Sequence, residues 1–383
     1  MIKKIKILFL HHLEVLGDER TRNIQTKYFS KLTSEPKSDF ERSLLQYKCQ
    51  NFSRNKLLLL AIHILALMFL VVIISIVSVT TVLFYRKSKP KKQYCHCVWN
   101  VDKSLIPSQY KNLIFINNIN LADTLLTVRF IDISYIMKLS IQSHLRGLFV
   151  LKVFYKVLHY RYMIEKYNPA SIIVISEYSY TSSVMTAYCE LLNIQHINVM
   201  HGEKLFNMRD SYFRFSTCWV WDDYYIGLFK ALRAESEQFQ LYNPFEDFCL
   251  TKGSSLRLTY YLQRETVPEL LLLRDILRKV NNYTIVIRPH PGYSDAETIR
   301  NIFSDYEIET NIDIKESLAS ASLVCSKYST VLQIASSNDI DIMIDDLSNK
   351  EQYRALCFYK YKFTNVDVMK LSKFMEQYSE STT

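Results

Sequence analysis

An α/β chain of two doubly wound, Rossmann-like halves behind a single transmembrane helix is what the sequence predicts, and three features predict it. Beyond Lys92, short apolar runs alternate with longer amphipathic stretches, the pattern of βαβ units around parallel sheets. The alternation occurs twice, on either side of a looser stretch from about Leu241 to Ser255 that contains Pro244 and Gly253. The run Leu57–Phe84 holds no charge and no proline. The expected organisation is a membrane-proximal segment over residues 1–56, a transmembrane helix over 57–84, a first Rossmann-like domain over 93–245 and a second over 254–383.

Bulk properties agree with this plan. A length of 383 residues exceeds one ordinary domain and suits two plus a membrane segment. Only 6 glycines are present, which argues against a turn-rich β-sandwich and against a Gly-rich phosphate loop. The net charge is +9, but much of the local excess, Arg86 to Lys92, flanks the apolar run. A membrane surface, and not nucleic acid, is therefore the expected partner. Cysteine usage points to reduced thiols facing the cytosol: the Cys95–Cys97 pair has no second pair to complete a zinc site.

At ~1.5 Å per residue the apolar run exceeds the ~30 Å hydrocarbon thickness. It shows none of the polar face of a core helix, and it begins too far from Met1 for a signal peptide. His63 inside it is expected to reach toward the interface. Basic residues are denser after the run (Arg86, Lys87, Lys89, Lys91, Lys92) than before it (Arg42, Lys48, Arg54, Lys56). A single-pass chain with its C-terminal part in the cytoplasm follows. Residues 1–56 read as one or two amphipathic helices on the membrane surface. His11 and His12 are adjacent, do not share a helix face, and make no metal site.

In the first half, Leu113–Ile116 is a strand. A helix follows from about Ser143 to Tyr167, ended by Asn168-Pro169. The continuous apolar run Ser171–Ile175 is a central parallel strand. A helix from about Thr181 to Leu192, a strand over Ile194–Met200 and a strand over Thr217–Trp221 complete the half. In the second half, strands are expected at Leu256–Tyr261, Tyr283–Ile287, Ser322–Cys325 and Ile340–Ile344. Helices are expected over Val267–Val280, with Pro268 in the first turn, from about Asp295 to Phe303, and from about Thr330.

Four loops at strand ends carry chemistry-bearing residues, where doubly wound sheets bind ligands. Glu177 follows a buried strand, as a general base or as a helix N-terminal acid. His201-Gly202-Glu203 closes another: an imidazole there binds phosphate or moves a proton, or merely ends a strand. In Arg288-Pro289-His290-Pro291 the prolines stiffen the loop and the arginine can make bidentate bonds to phosphate. Ser326-Lys327-Tyr328-Ser329-Thr330 opens a helix, as an anion site or as a plain N-cap.

His-Gly after one strand, R-P-H-P after another and S-x-x-S-T-V opening a late helix resemble the GT-B glycosyltransferases of bacterial surface-polymer synthesis. That group includes capsule sialyltransferases, polysialyltransferases and teichoic-acid glycerophosphotransferases. The resemblance spans roughly His196 to Asp345. It implies a GT-B fold with an acceptor domain over 93–245 and a nucleotide-donor domain over 254–383. It also implies that His290 acts on the leaving nucleotide and that Ser329 and Thr330 contact the donor phosphate. The acidic D/E-D/E-G motif of the sialyltransferases does not occur, and Glu177, Glu203 and Asp222-Asp223 are its substitutes.

The expected reaction is metal-independent transfer of a sugar from a nucleotide-activated donor, CMP-linked by preference, to a glycan or glycolipid acceptor. Glu177 or Glu203 deprotonates the acceptor, with His201 in the same region. His290, Arg288 and the Ser326, Ser329 and Thr330 loop stabilise the departing phosphate. No cofactor is expected. Asp345-Asp346 is the one acidic pair after a strand with a metal-site reading. A CDP-polyol phosphotransferase and a non-catalytic GT-B-like scaffold in polysaccharide assembly are the alternatives.

Overall fold

The computed structural model describes residues 19–52, 54–83, 95–246 and 256–380. His11-His12, the basic cluster Arg86–Lys92 and most of the expected linker lie outside the described residues. The chain divides into two compact units: Met1–His201 with Phe206–Tyr242, and Gly202–Leu205 with Asn243–Thr383. Each is built on a six-stranded, all-parallel sheet, so the fold is α/β and GT-B-like in its two doubly wound sheets.

The first sheet contains β1 His96–Trp99, β2 Leu113–Ile116, β3 Ser171–Val174, β4 Gln195–Val199, β5 Thr217–Val220 and β6 Phe239–Leu241, in the order β2-β1-β3-β4-β5-β6. All four residues of β3 are buried, as a central strand covered on both faces requires. Val98, Ile173, Ile197, Val199 and Trp219 share one core cluster across β1, β3, β4 and β5. The order reverses between β1 and β3, which makes their carboxyl ends the switch point where such sheets take ligands. Helix Gly147–Tyr167 meets the sheet through Tyr160, which packs on Trp99 of β1 and whose Oη lies 2.8 Å from His196 Nε2 of β4, while its Phe149 packs on Tyr47 and Tyr180. It stops at Asn168, whose φ of 45° places it in the left-handed region before Pro169.

The second sheet contains β7 Arg257–Tyr261, β8 Thr284–Arg288, β9 Glu307–Ile308, β10 Leu323–Ser326, β11 Asp341–Ile344 and β12 Met369–Lys370. Its order, β9-β8-β7-β10-β11-β12, is the dinucleotide-fold order counted from β7, with the switch point between β7 and β10. Helix Val267–Leu277 starts with a capping box between Thr266 and Glu269 and with Pro268 in its first turn. It buries Leu270, Leu273 and Leu277 against Leu258, Tyr260 and Ile287 of the sheet.

The N-terminal helices differ from the surface helices expected. Helix Asp39–Asn51 buries Ser43, Leu45, Gln46, Tyr47 and Cys49 in the first unit, packed on helix Ser182–Leu191. Helix Glu19–Ser30 precedes it, with Phe29 buried against Tyr212. The apolar run forms helix Lys56–Leu83, and its stretch Lys56–Val79 has a mean hydropathy of 3.2. It packs on helix Gly147–Tyr167 and on helix Phe130–Gln142. His63 turns inward: Leu148 N–H donates to its Nδ1 at 3.2 Å, and Tyr47 Oη lies 3.2 Å from its Nε2.

Candidate functional site

On the first unit, neighbouring strand ends bring two expected site residues together. Glu177 follows β3 and His201 follows β4, and Glu177 Oε1 lies 3.2 Å from His201 Nδ1. The Glu177 side chain is fully buried, whereas that of His201 is 35% exposed. The carboxylate expected as a base thus lies buried behind the imidazole. Of the two, His201 is the side chain open to solvent.

The loop that carries Glu177 is held from several sides. Asn198 of β4 accepts from Ser176 N–H at 2.7 Å, and Ser182 Oγ donates to Ser176 C=O at 2.5 Å. Gln46 Nε2 donates to Glu177 C=O at 2.9 Å, and Gln50 Nε2 donates to Tyr178 C=O at 2.8 Å. The same two amides also bond Arg209 C=O, at 3.0 and 2.9 Å. Four residues apart on one helix, the glutamines share a face and read two consecutive loop carbonyls. Sequence reasoning missed them, because glutamines in a charged segment look solvated. Asp222 is taken up as the N-cap of helix Asp223–Ala231, accepting from Tyr224 N–H at 3.0 Å.

The segment Gly202–Leu205 belongs to the second unit. Gly202 has φ +61°, and a Cβ added there would lie 3.9 Å from Thr330 Oγ1, so the glycine is needed for its backbone conformation and not for space. Glu203 C=O accepts from Tyr328 Oη at 3.2 Å. Glu203 is thus placed with the Ser326–Thr330 loop.

At the carboxyl end of β8, His290 sits in a built turn. Gly292 N–H donates to His290 Nδ1 at 3.0 Å, and His290 N–H donates to Ser294 Oγ at 2.9 Å. With Nδ1 accepting, the neutral ring carries its proton on Nε2, as an outward donor. Burial, then the nearby Arg264 guanidinium, lowers the His290 pKa below its ordinary value, which favours that neutral form. The ring stacks on Tyr293, centroids 4.3 Å apart, and Arg264 lies 3.7 Å from the centroid of Tyr293. Imidazole, phenol and guanidinium form one layered group from the β7 and β8 loops.

Arg288 lies elsewhere. Its guanidinium donates to Glu309 at 3.2 Å and to Ile312 C=O at 2.6 Å. Glu309 is buried and also accepts from Arg257 at 2.8 Å. Arg288 therefore ties the end of β8 to the chain after β9, and the cation beside His290 is Arg264, which sequence reasoning did not single out. Ser326 Oγ donates to Tyr261 C=O at 2.8 Å, and Ser329 caps its own helix by accepting from Val331 N–H at 3.2 Å. Both are structural in these positions, and Thr330 is the hydroxyl nearest Gly202.

At the β7–β10 switch point stands a buried ion cluster. Lys327 Nζ lies 3.5 Å from Glu265 Oε1 and 3.6 Å from Glu269 Oε1. Burial raises the Glu265 pKa, with Lys327 opposing. Asp345 accepts from Tyr260 Oη at 2.6 Å and from the Leu347 and Ser348 amides, and Asp346 accepts from Ser372. The acidic pair with a metal-site reading is thus fully engaged inside the protein. A cavity of about 380 Å³ lined by Thr284 and Glu307 opens at the amino ends of β8 and β9, the opposite edge from His290.

No family model and no curated protein matches the chain. Solved structures do. The wall teichoic acid polymerase TagF is 10% identical over 58% of this chain and 74% of its own, with a TM-score of 0.33. The UDP-GlcNAc 2-epimerase of Neisseria meningitidis, bound to UDP-GlcNAc, is 9% identical over 76% and 91%, with a TM-score of 0.44. MnaA of S. aureus, with UDP, is 11% identical over 66% and 79%, with a TM-score of 0.39. At these values the likenesses carry no argument about chemistry, and the fold rests on the strands and their pairing.

Proposed function

We propose that the chain is a membrane-attached glycosyltransferase of the GT-B type, moving a sugar from a nucleotide-activated donor to a glycan or glycolipid acceptor. The observation that carries this reading is the Glu177–His201 pair: a fully buried carboxylate behind a half-exposed imidazole at the carboxyl edge of a parallel sheet. His201 takes the proton of the acceptor hydroxyl while its oxygen attacks the anomeric carbon. Glu177 fixes the direction of the imidazole. The bond from the sugar to the donor phosphate breaks, and the nucleotide leaves with the electron pair. The second unit carries His290 Nε2–H and Arg264, donors of the kind that a departing phosphate requires. The reaction so written needs no metal and no cofactor.

The test is a thermal-shift titration of the full chain with CMP, CDP, UDP and GDP, repeated with His290→Ala, Arg264→Ala and Arg288→Ala. One nucleotide should raise Tm, and the shift should vanish in His290→Ala and shrink in Arg264→Ala. Arg288→Ala should lower the starting Tm but keep most of the shift. No shift with any nucleotide at millimolar concentration, from a folded protein, refutes the reading and leaves the non-catalytic scaffold.

A further inference from the structure

The helix Lys56–Leu83 is attached along its length. A Cβ at Gly147 would fall 2.3 Å from His63 C=O and 2.7 Å from Leu67 N, so the two backbones touch at that point. Toward the other end, Thr81 Oγ1 donates to Val128 C=O at 3.4 Å. Val128 is followed by Arg129, which pairs with Glu165 near the end of helix Gly147–Tyr167. Between these points Ala66, Leu70 and Val77 are buried. Their spacing of four and seven residues makes them one face of the helix. Helix Lys56–Leu83 is thus held to the first unit from His63 to Thr81. That is a seam of about 27 Å at ~1.5 Å per residue, nearly the ~30 Å of a bilayer's hydrocarbon.

A helix crossing the bilayer with this seam intact would draw its partner in with it. Helix Gly147–Tyr167 carries Lys152, Lys156, Arg161, Glu165 and Lys166, and its other face is the packing layer of the first sheet. Intramembrane charges are costly, and a parallel α/β sheet has no place in hydrocarbon. With the helix lying flat, only its outer face meets lipid, and the protein occupies the side that a polar face takes in an ordinary interfacial helix.

The exposed surface fits that arrangement. Leu65, Met68 and Val72 of the apolar helix are 57–66% exposed. The adjoining helix Phe130–Gln142 and its following turn expose Met137 at 47%, Ile141 at 71% and Leu145 at 57%. Two polar groups of the run are satisfied without water: His63 faces inward, and Ser75 Oγ donates to Val71 C=O at 2.9 Å. The basic side chains Lys56, Lys138 and Arg146 belong to the same elements or their ends, the sign of charge that an anionic leaflet attracts.

We infer that helix Lys56–Leu83 lies in one leaflet instead of crossing the bilayer, and that helix Phe130–Gln142 shares its lipid-facing surface. The partner is an anionic phospholipid leaflet. The full chain, with Cys95, Cys249 and Cys357 replaced by serine, is synthesised in the presence of sealed phosphatidylglycerol–phosphatidylcholine vesicles. Single cysteines are placed at Lys56 and Lys87, basic residues that border the apolar run on either side, and at the exposed Ile141. Lys56→Cys and Lys87→Cys should both react with a membrane-impermeant maleimide added outside. A fluorophore on Ile141→Cys should be quenched by doxyl-labelled lipid. Reaction at only one of the two helix ends means that the helix crosses, and overturns the inference. A water-exposed label at Ile141, or one quenched only by a second labelled copy of the chain, removes helix Phe130–Gln142 from the lipid face and overturns the shared surface.

Discussion

One substitution made at two positions should act with opposite sign, and three distances decide it. At Gly147 an alanine methyl would meet His63 C=O at 2.3 Å, Leu67 N at 2.7 Å and Leu67 Cγ at 2.8 Å. Two of these are backbone atoms, which no rotamer change moves. Ordinary contact begins near 3.4 Å, so helix Lys56–Leu83 must retreat by about an ångström along a seam that is otherwise packed. Overpacking of this kind costs about 1–3 kcal/mol, and the backbone contact puts Gly147→Ala at the upper end. At Gly227, inside helix Asp223–Ala231, nothing lies within 4 Å of the added atom. There the gain is the helix preference of alanine over glycine, about 0.5–1 kcal/mol. Thermal unfolding of the full chain in mild detergent, followed by circular dichroism, reads both. Gly147→Ala should lower Tm by roughly 4–10 °C and Gly227→Ala should raise it by roughly 1–4 °C, at about 2–4 °C per kcal/mol. Equal or same-sign shifts would refute the close approach of the two helices and the in-plane arrangement built on it.

Two further outcomes follow from the sites. Glu177→Gln keeps the shape of the buried group but removes its charge behind His201, so transfer should fall about 10²–10⁴-fold. The nucleotide-induced Tm shift of the second unit should stay; a variant that retains full rate takes Glu177 out of the mechanism. Burial of Glu309 raises its pKa, but the Ser317, Arg257 and Arg288 hydrogen bonds and the Arg257 charge together outweigh burial and leave the pKa lowered. A depressed carboxyl pKa stabilises the fold above its unfolded value of about 4.3, and that stability is lost as pH falls through the lower folded value. Urea unfolding between pH 5 and pH 2 should show this loss, and Arg288→Ala should flatten it; an unchanged slope in the variant would show that the Arg288 contact is idle.

Much of both sheets was legible because parallel strands covered on two faces leave short, continuous apolar runs. Leu113–Ile116 appears where it is expected, and Asn168-Pro169 stops its helix because asparagine enters the left-handed region and proline forbids another turn. What stayed hidden has physical reasons. Strand β1 shows in the sequence only as a Cys-x-Cys spacing, since His96–Trp99 is too short to carry a pattern of its own. Helix Asp39–Asn51 inverts the usual signal by burying Ser43, Gln46 and Asn51, whose polar groups serve neighbouring backbone or, for Asn51, its own helix.

The site was legible as a set of strand ends but not as a set of partners. Glu177 and His201 are 24 residues apart and meet only because β3 and β4 pair in register. Arg288 is expected at a phosphate because a guanidinium after a strand suits one. Its actual partner, Glu309, directly follows a strand of two residues that no periodicity announces. Arg264 reaches Tyr293 across two loops, a contact without any local trace.

The two glutamines of helix Asp39–Asn51 bear on how this protein is prepared for study. The obvious way to obtain a water-soluble version is to begin the chain near residue 93 and discard the apolar helix. That cut would also discard Gln46, Gln50 and Ser43, which hold Glu177 C=O, Tyr178 C=O and Val184 N–H. It would strip the lipophilic surface and loosen the Glu177 loop in one step. An inert product of such a truncation would say nothing about whether the intact protein is a catalyst.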